Sequence, residues 1–141
     1  VADANLGVHL VLGTEYGEWA DRAWRIWRLA GVVVTAPRLW LCEAASAIHR
    51  VHMQGRISEP VALEALDTVL GLGVQFVGEE DLCHDAFAWA SRLKRLAVYD
   101  CFYLALAERI GCEFWTADRT LANAAHQAGA SWVRWIGEVA D

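Results

Sequence analysis

A chain of 141 residues, 56% hydrophobic and 21% charged, can bury a real core, and this balance excludes a disordered or low-complexity polypeptide. Its net charge of −6 argues against a protein that coats nucleic acid through its overall field. It leaves room for an enzyme that works on nucleic acid with a local acidic site and a cation.

No apolar run reaches the ~18 residues of a membrane span. No basic-then-apolar leader is visible, so a soluble, cytoplasmic protein is expected. The chain opens on Val1 rather than Met, which reads as a trimmed start. Lys94 is the only lysine, and arginine carries the remaining positive charge. The four cysteines, Cys42, Cys83, Cys101 and Cys112, form no C-x-x-C pair, so they read as free thiols rather than a zinc site.

Val1-Ala2 reads as the stub of a strand before Asp3. A short helix follows over Asn5 to Leu12, stopped by Gly13. Thr14 is placed to cap a second helix, Glu15 to Ala30, with Arg22, Arg25 and Arg28 on one flank. The β-branched run Val32-Val33-Val34-Thr35-Ala36 predicts a buried parallel strand. Pro37 suits the first turn of the next helix. On that helix Leu39, Cys42, Glu43, Ser46 and Arg50 share one stripe, and Leu41, Ala45, Ile48 and His52 another. Ser58 caps a helix over Glu59 to Leu72, and Val74 to Val77 is a strand.

A long helix is expected over Glu79 to Leu96, then one from about Val98 to a stop at Gly111. Glu113 to Thr116 is a strand, Leu121 to Gln127 a helix, and Ser131 to Ile136 the last strand. Strands alternating with helices predict one domain over residues 1–141. Its expected form is a three-layer α/β/α sandwich around a mostly parallel sheet of about five strands, with right-handed crossovers.

In open parallel sheets, ligands bind beyond the carboxyl ends of the strands. Four acidic residues are predicted at that edge: Asp3, Glu43, Asp100 and Asp118. Singly, Asp3 and Asp118 could be helix caps, and Asp100 could answer a helix dipole. Glu43 stands between Trp40-Leu41-Cys42 and Ala44-Ala45, an apolar setting in which a carboxylate needs a partner. Two carboxylates ~4 Å apart repel by roughly 4 kcal/mol at an effective dielectric of ~20. Four in one pocket call for protonation, basic partners or a hard cation, and Mg²⁺ suits such oxygen donors. Asn5, Ser46 and Thr116 are the polar residues placed to support them.

Other constellations are weaker. His49 and His52 lie toward the end of the Glu43 helix, where a positive imidazole answers the dipole. No Gly-x-Ser-x-Gly elbow, Gly-x-Gly-x-x-Gly or phosphate-binding Gly-Lys loop occurs. The eight tryptophans, among them Trp19, Trp40, Trp89 and Trp115, fall mostly at inward positions and read as core.

The chain resembles PIN-domain ribonucleases of the VapC toxin type. The resemblance rests on Val1-Ala2-Asp3-Ala4-Asn5, Pro37 to Ala47 with Glu43, Tyr99 to Ala107 with Asp100, and Thr116-Ala117-Asp118-Arg119-Thr120-Leu121. These segments, in order, span most of the sequence. The resemblance implies an endoribonuclease whose Asp3, Glu43, Asp100 and Asp118 line one site for Mg²⁺ or Mn²⁺. Asp3 and Asp100 would be the principal ligands. It also implies RNA as substrate, a cognate antitoxin protein as partner, and a toxin homodimer or larger assembly. Ser46 departs from the Asn common at that place in the family. That departure and the acidic net charge are the support for an alternative, a non-catalytic PIN-fold binding module with a vestigial metal site.

Overall fold

The computed structural model describes residues 1–139. The elements are α1 (Ala4–Leu12), α2 (Gly17–Leu29), β1 (Thr35–Pro37), α3 (Leu39–Met53), α4 (Glu59–Leu70) and β2 (Gln75–Val77). After them come a 3₁₀ turn (Glu80–Leu82), α5 (Cys83–Arg92), α6 (Tyr99–Ile110), β3 (Phe114–Thr116), α7 (Arg119–Gln127), β4 (Val133–Trp135) and a final 3₁₀ turn (Ile136–Glu138).

All pairing is parallel. Thr35 to Pro37 run beside Gln75 to Val77, and Phe114 to Thr116 beside Val133 to Trp135. The stub at the start joins these two pairs. Ala2 bridges Trp115, the Trp115 N–H donates to the Val1 carbonyl at 2.8 Å, and the Ala2 N–H donates to Thr35 at 3.2 Å. The spatial order is therefore β2, β1, the Val1–Asp3 segment, β3, β4. Neighbouring residues point to opposite faces of this sheet. Phe114 and Val1 pack in a larger core with Trp40, Tyr103 and Leu106, while Ala2 and Trp115 pack in a smaller one with Leu6, Trp24 and Ile136. The α/β class and the parallel sheet read from the sequence are those of the structure.

Several boundaries differ from the sequence reading, and four of them have a clear local reason. Val32 and Val33 are exposed, at 52% and 59%, and the strand begins only at Thr35. Their β-branched side chains suit a strand, but no neighbour covers them. Pro37 ends β1 instead of opening the helix; it has no N–H to give, and α3 begins at Leu39. Thr14 does not cap α2: its carbonyl accepts from the Gly17 N–H at 2.7 Å in a turn, and the helix begins two residues later than expected. The long helix over Glu79 to Leu96 is a 3₁₀ turn followed by α5, which stops at Arg92 because Lys94 takes a φ of 53°. No glycine or proline marks that stop, so periodicity alone runs through it.

One contact sets the geometry of the site. On α1, a Cβ built at Gly7 would lie 2.8 Å from Cζ2 of the fully buried Trp40 on α3. The missing side chain lets α1 and α3 approach closely. Asp3 caps α1 and Glu43 lies one turn beyond Trp40, so this approach brings both carboxylates to the same place.

Candidate metal centre

The four acidic residues reach one cavity of about 680 Å³ from four directions. Asp3 arrives at the end of the central extended segment, Glu43 from α3, Asp100 from the first turn of α6, and Asp118 from the N-terminus of α7. Asn5, Ser46 and Arg50 also line it, together with Leu39 and Cys42. The first α3 stripe read from the sequence is therefore the cavity wall. The helix face turned to the core is Trp40, Ala44 and Ile48.

Asp3 is the most deeply set of the four, at 7% exposure. One carboxylate oxygen accepts from the Asn5 N–H at 3.1 Å, which caps α1. The other accepts from the Thr116 hydroxyl at 2.7 Å and from the Asn5 side-chain amide at 2.9 Å. Thr116 in turn accepts from the Asp118 N–H at 3.0 Å, and the Asn5 side-chain carbonyl accepts from the Ala117 N–H at 3.0 Å. Thr116 is buried behind the cavity and ties Asp3 to the loop that carries Asp118. These bonds favour the Asp3 carboxylate, but burial outweighs them, and with the charges of Glu43 and Asp100 it pushes the Asp3 pKa up to about 7.

Glu43 accepts a hydrogen bond from the buried Tyr103 hydroxyl at 2.5 Å. Burial raises its pKa, the Tyr103 bond opposes that, and the Asp100 charge adds to it. Burial likewise raises Asp100; Arg95, 2.6 Å away, pulls it back, and Asp118 pushes it up. Asp118 caps α7 through Leu121 at 2.9 Å and lies 3.9 Å from the same guanidinium. The cap reading of Asp3 and Asp118 is thus correct, and both also face the cavity. One carboxylate has two oxygens, so the roles coexist.

Sequence reasoning missed three participants. Tyr103 carries no site signal of its own in the sequence, yet it orients Glu43. Arg95 comes from a loop inside what reads as continuous helix. Arg50 was placed on the right stripe without being assigned to the site; its seven-residue offset from Glu43, two helical turns, is the signal that could have found it. Arg119, adjacent to Asp118, instead covers the Trp135 ring at 4.8 Å. The His49 and His52 rings lie 6.3 Å apart, and His52 meets the Ile57 carbonyl, as expected for histidines at a helix end.

Among the described residues, no group of three or more Asp, Glu, His or Cys side chains is already gathered around a single metal position. Each carboxylate here is engaged by a protein partner. The donor chemistry nevertheless fits a hard divalent cation. Four carboxylates share a cavity, and three of them are driven toward protonation by burial and by one another. A cation held by oxygen would relieve that directly. No helix among the described residues is long and apolar enough to cross a membrane.

The comparison with curated proteins found no match. The PIN-domain family does match, over residues 1–127, a span that holds all four carboxylates and runs through α7, with β4 beyond it. With parallel strands interleaved with helices and an acidic cavity at their carboxyl ends, the chain belongs to the PIN-domain family, whose members are typically metal-dependent nucleases.

Proposed function

We propose that this protein is a Mg²⁺- or Mn²⁺-dependent endoribonuclease, the toxin of a VapC-like toxin–antitoxin pair. The observation that carries the nuclease reading is the convergence of Asp3, Glu43, Asp100 and Asp118 on one cavity. Asp3 and Asp100 would be the principal metal ligands, with Glu43 and Asp118 completing the set. A bound divalent cation supplies a more acidic water and neutralises charge at the scissile phosphate. The reaction is hydrolysis: water adds to phosphorus, the bond to the 3′ oxygen breaks, and a 5′-phosphate and a 3′-hydroxyl remain.

The chain's own residues divide the work. Tyr103 holds the Glu43 carboxylate, and Thr116 and Asn5 hold that of Asp3, so both face the cavity in fixed orientations. Among the described residues, Arg50 is the only Lys or Arg lining the cavity. A guanidinium there suits an RNA phosphate, which it can grip with two parallel hydrogen bonds. Ser46, small and exposed on the same wall, leaves room beside that contact.

The cognate antitoxin, the toxin homodimer or larger assembly, and cytoplasmic action belong to the same proposal and rest on the family resemblance. The experiment is cleavage of single-stranded RNA with Mg²⁺ or Mn²⁺, with EDTA and Asp3→Asn as controls. Cleavage that survives both controls would sink the site assignment. The rival reading, a non-catalytic binding module, predicts no Mn²⁺ binding at millimolar concentration. Its support is Ser46 and the acidic net charge; against it stand three carboxylates whose burial opposes their charged form.

A further inference from the structure

Arg95 stands in the loop between α5 and α6. Its backbone is pinned: its N–H donates to the Ala90 carbonyl at 2.9 Å, and the Lys94 N–H donates to Ser91 at 3.2 Å. Lys94 makes the turn at φ 53°, in the left-handed region that Gly13 and Gly111 occupy at the ends of α1 and α6. It is the one non-glycine residue among those described to do so. The turn brings the Arg95 side chain to Asp100 and Asp118, while Leu96, the next residue, is fully exposed.

The guanidinium spans two elements. One nitrogen is 2.6 Å from Asp100 on α6, and the other is 3.9 Å from Asp118 at the start of α7. These are two of the four carboxylates assigned to the metal. A divalent cation bound by the same oxygens would meet a like charge at contact distance, so guanidinium and metal compete for one place. The Arg95 side chain is 25% exposed and sits on a long flexible stem, so it can swing toward solvent about its fixed backbone.

We propose that Arg95 is a built-in, displaceable counter-ion: it occupies the cation's place against Asp100 and Asp118 in the metal-free protein and withdraws when the metal binds. The inference rests on the metal-centre reading above. It explains how the acidic cavity exists without metal. It also means that metal affinity is set by a competition and lies below what the four carboxylates alone would give.

The test is Mn²⁺ binding to the metal-free protein, followed by the electron paramagnetic resonance of free Mn²⁺. Arg95→Gln removes the competing charge and should bind Mn²⁺ about two- to fivefold more tightly, the scale of one lost, partly exposed ion pair. Arg95→Lys keeps the charge without the planar fork and should fall between Gln and wild type. Equal or weaker Mn²⁺ binding by a folded Arg95→Gln protein overturns the proposal. Wild type supplies a second readout that needs no variant. Nitrogen-15 resonances of the Arg95 guanidinium should shift on adding Mg²⁺, and its N–H protons should exchange faster with water, as the group leaves its partners; unchanged resonances at saturating Mg²⁺ also overturn it. If wild type binds Mn²⁺ and Arg95→Gln binds no better, the counter-ion role alone fails. If neither protein binds Mn²⁺, the metal centre itself is wrong and the proposal falls with it.

Discussion

Replacing Asp3 by Asn should stabilise the metal-free protein at neutral pH while abolishing its function. Asp3 is buried, and its pKa moves from 3.8 to about 7 on folding. A carboxyl whose folded pKa is raised binds its proton more tightly in the native state than in the unfolded state. Its contribution to stability is therefore complete below pH ~4 and is lost as pH rises through about 7. At roughly 1.4 kcal/mol per pH unit, this single group removes about 4 kcal/mol between those limits. Burial raises Glu43 and Asp100 as well, which adds to the same trend. His9, lowered by burial, works in the opposite direction as it titrates.

Asparagine is nearly isosteric and carries no charge. Its carbonyl can still cap α1 through the Asn5 N–H, and its amide can donate to Thr116. It cannot accept the second bond from the Asn5 side chain, a loss of about 1 kcal/mol. The balance is a gain of about 3 kcal/mol at pH 8 and a loss of about 1 kcal/mol at pH 4. Urea denaturation in EDTA at both pH values reads this directly. Wild type should lose stability from pH 4 to pH 8, and Asp3→Asn should lose clearly less. Equal slopes in the two proteins would refute the claim that Asp3 is the buried, strained carboxylate of the site. The same variant should show no metal-dependent RNA cleavage, the pattern of a residue kept for chemistry at a cost in stability.

Further outcomes follow from the same geometry. Mn²⁺ at a hundred times its dissociation constant should raise wild-type stability by about 2.7 kcal/mol in thermal or urea unfolding, and EDTA should reverse this; Asp3→Asn should show little response. Arg50→Ala should raise KM for RNA by about tenfold, the loss of one charge-assisted contact, with kcat and melting temperature nearly unchanged. Equal loss in kcat and kcat/KM would place Arg50 in the transition state instead. Gly7→Ala should cost about 1–3 kcal/mol by overpacking against Trp40 and should also weaken Mn²⁺ binding, because α1 carries Asp3 and α3 carries Glu43. A destabilised variant with unaltered Mn²⁺ affinity would show that the α1–α3 approach does not set the site.

Much of the site was legible in the sequence because each carboxylate sits at a locally signalled boundary. Asp3 and Asp118 stand where a strand passes into a helix, and their side chains cap the helices they precede. Asp100 lies in a helix's first turn, and Glu43 is conspicuous as a charge amid apolar residues. Local chemistry also marks the ends of α1 and α6, where Gly13 and Gly111 adopt the left-handed conformation. It misleads at Val32 and Val33, because strand propensity describes a side chain's fit to a pleated, covered surface and cannot say whether a cover exists. It fails at Lys94, because a left-handed lysine leaves no trace in the residue pattern.

The sequence by itself therefore determined the α/β class and the parallel sheet, and it singled out the four carboxylates that the structure brings to one cavity. These follow from periodicity, capping and position at strand ends, which are all properties of short segments. Only the tertiary structure decided how those carboxylates are held. It brought Tyr103 to Glu43 across 60 residues and Thr116 to Asp3 across 113. It also placed Arg95 between Asp100 and Asp118 and raised Asp3 to a pKa of about 7 by closing the protein around it. Long-range hydrogen bonds and burial depend on where distant segments pack, and no local pattern encodes the dielectric in which a charge will finally sit.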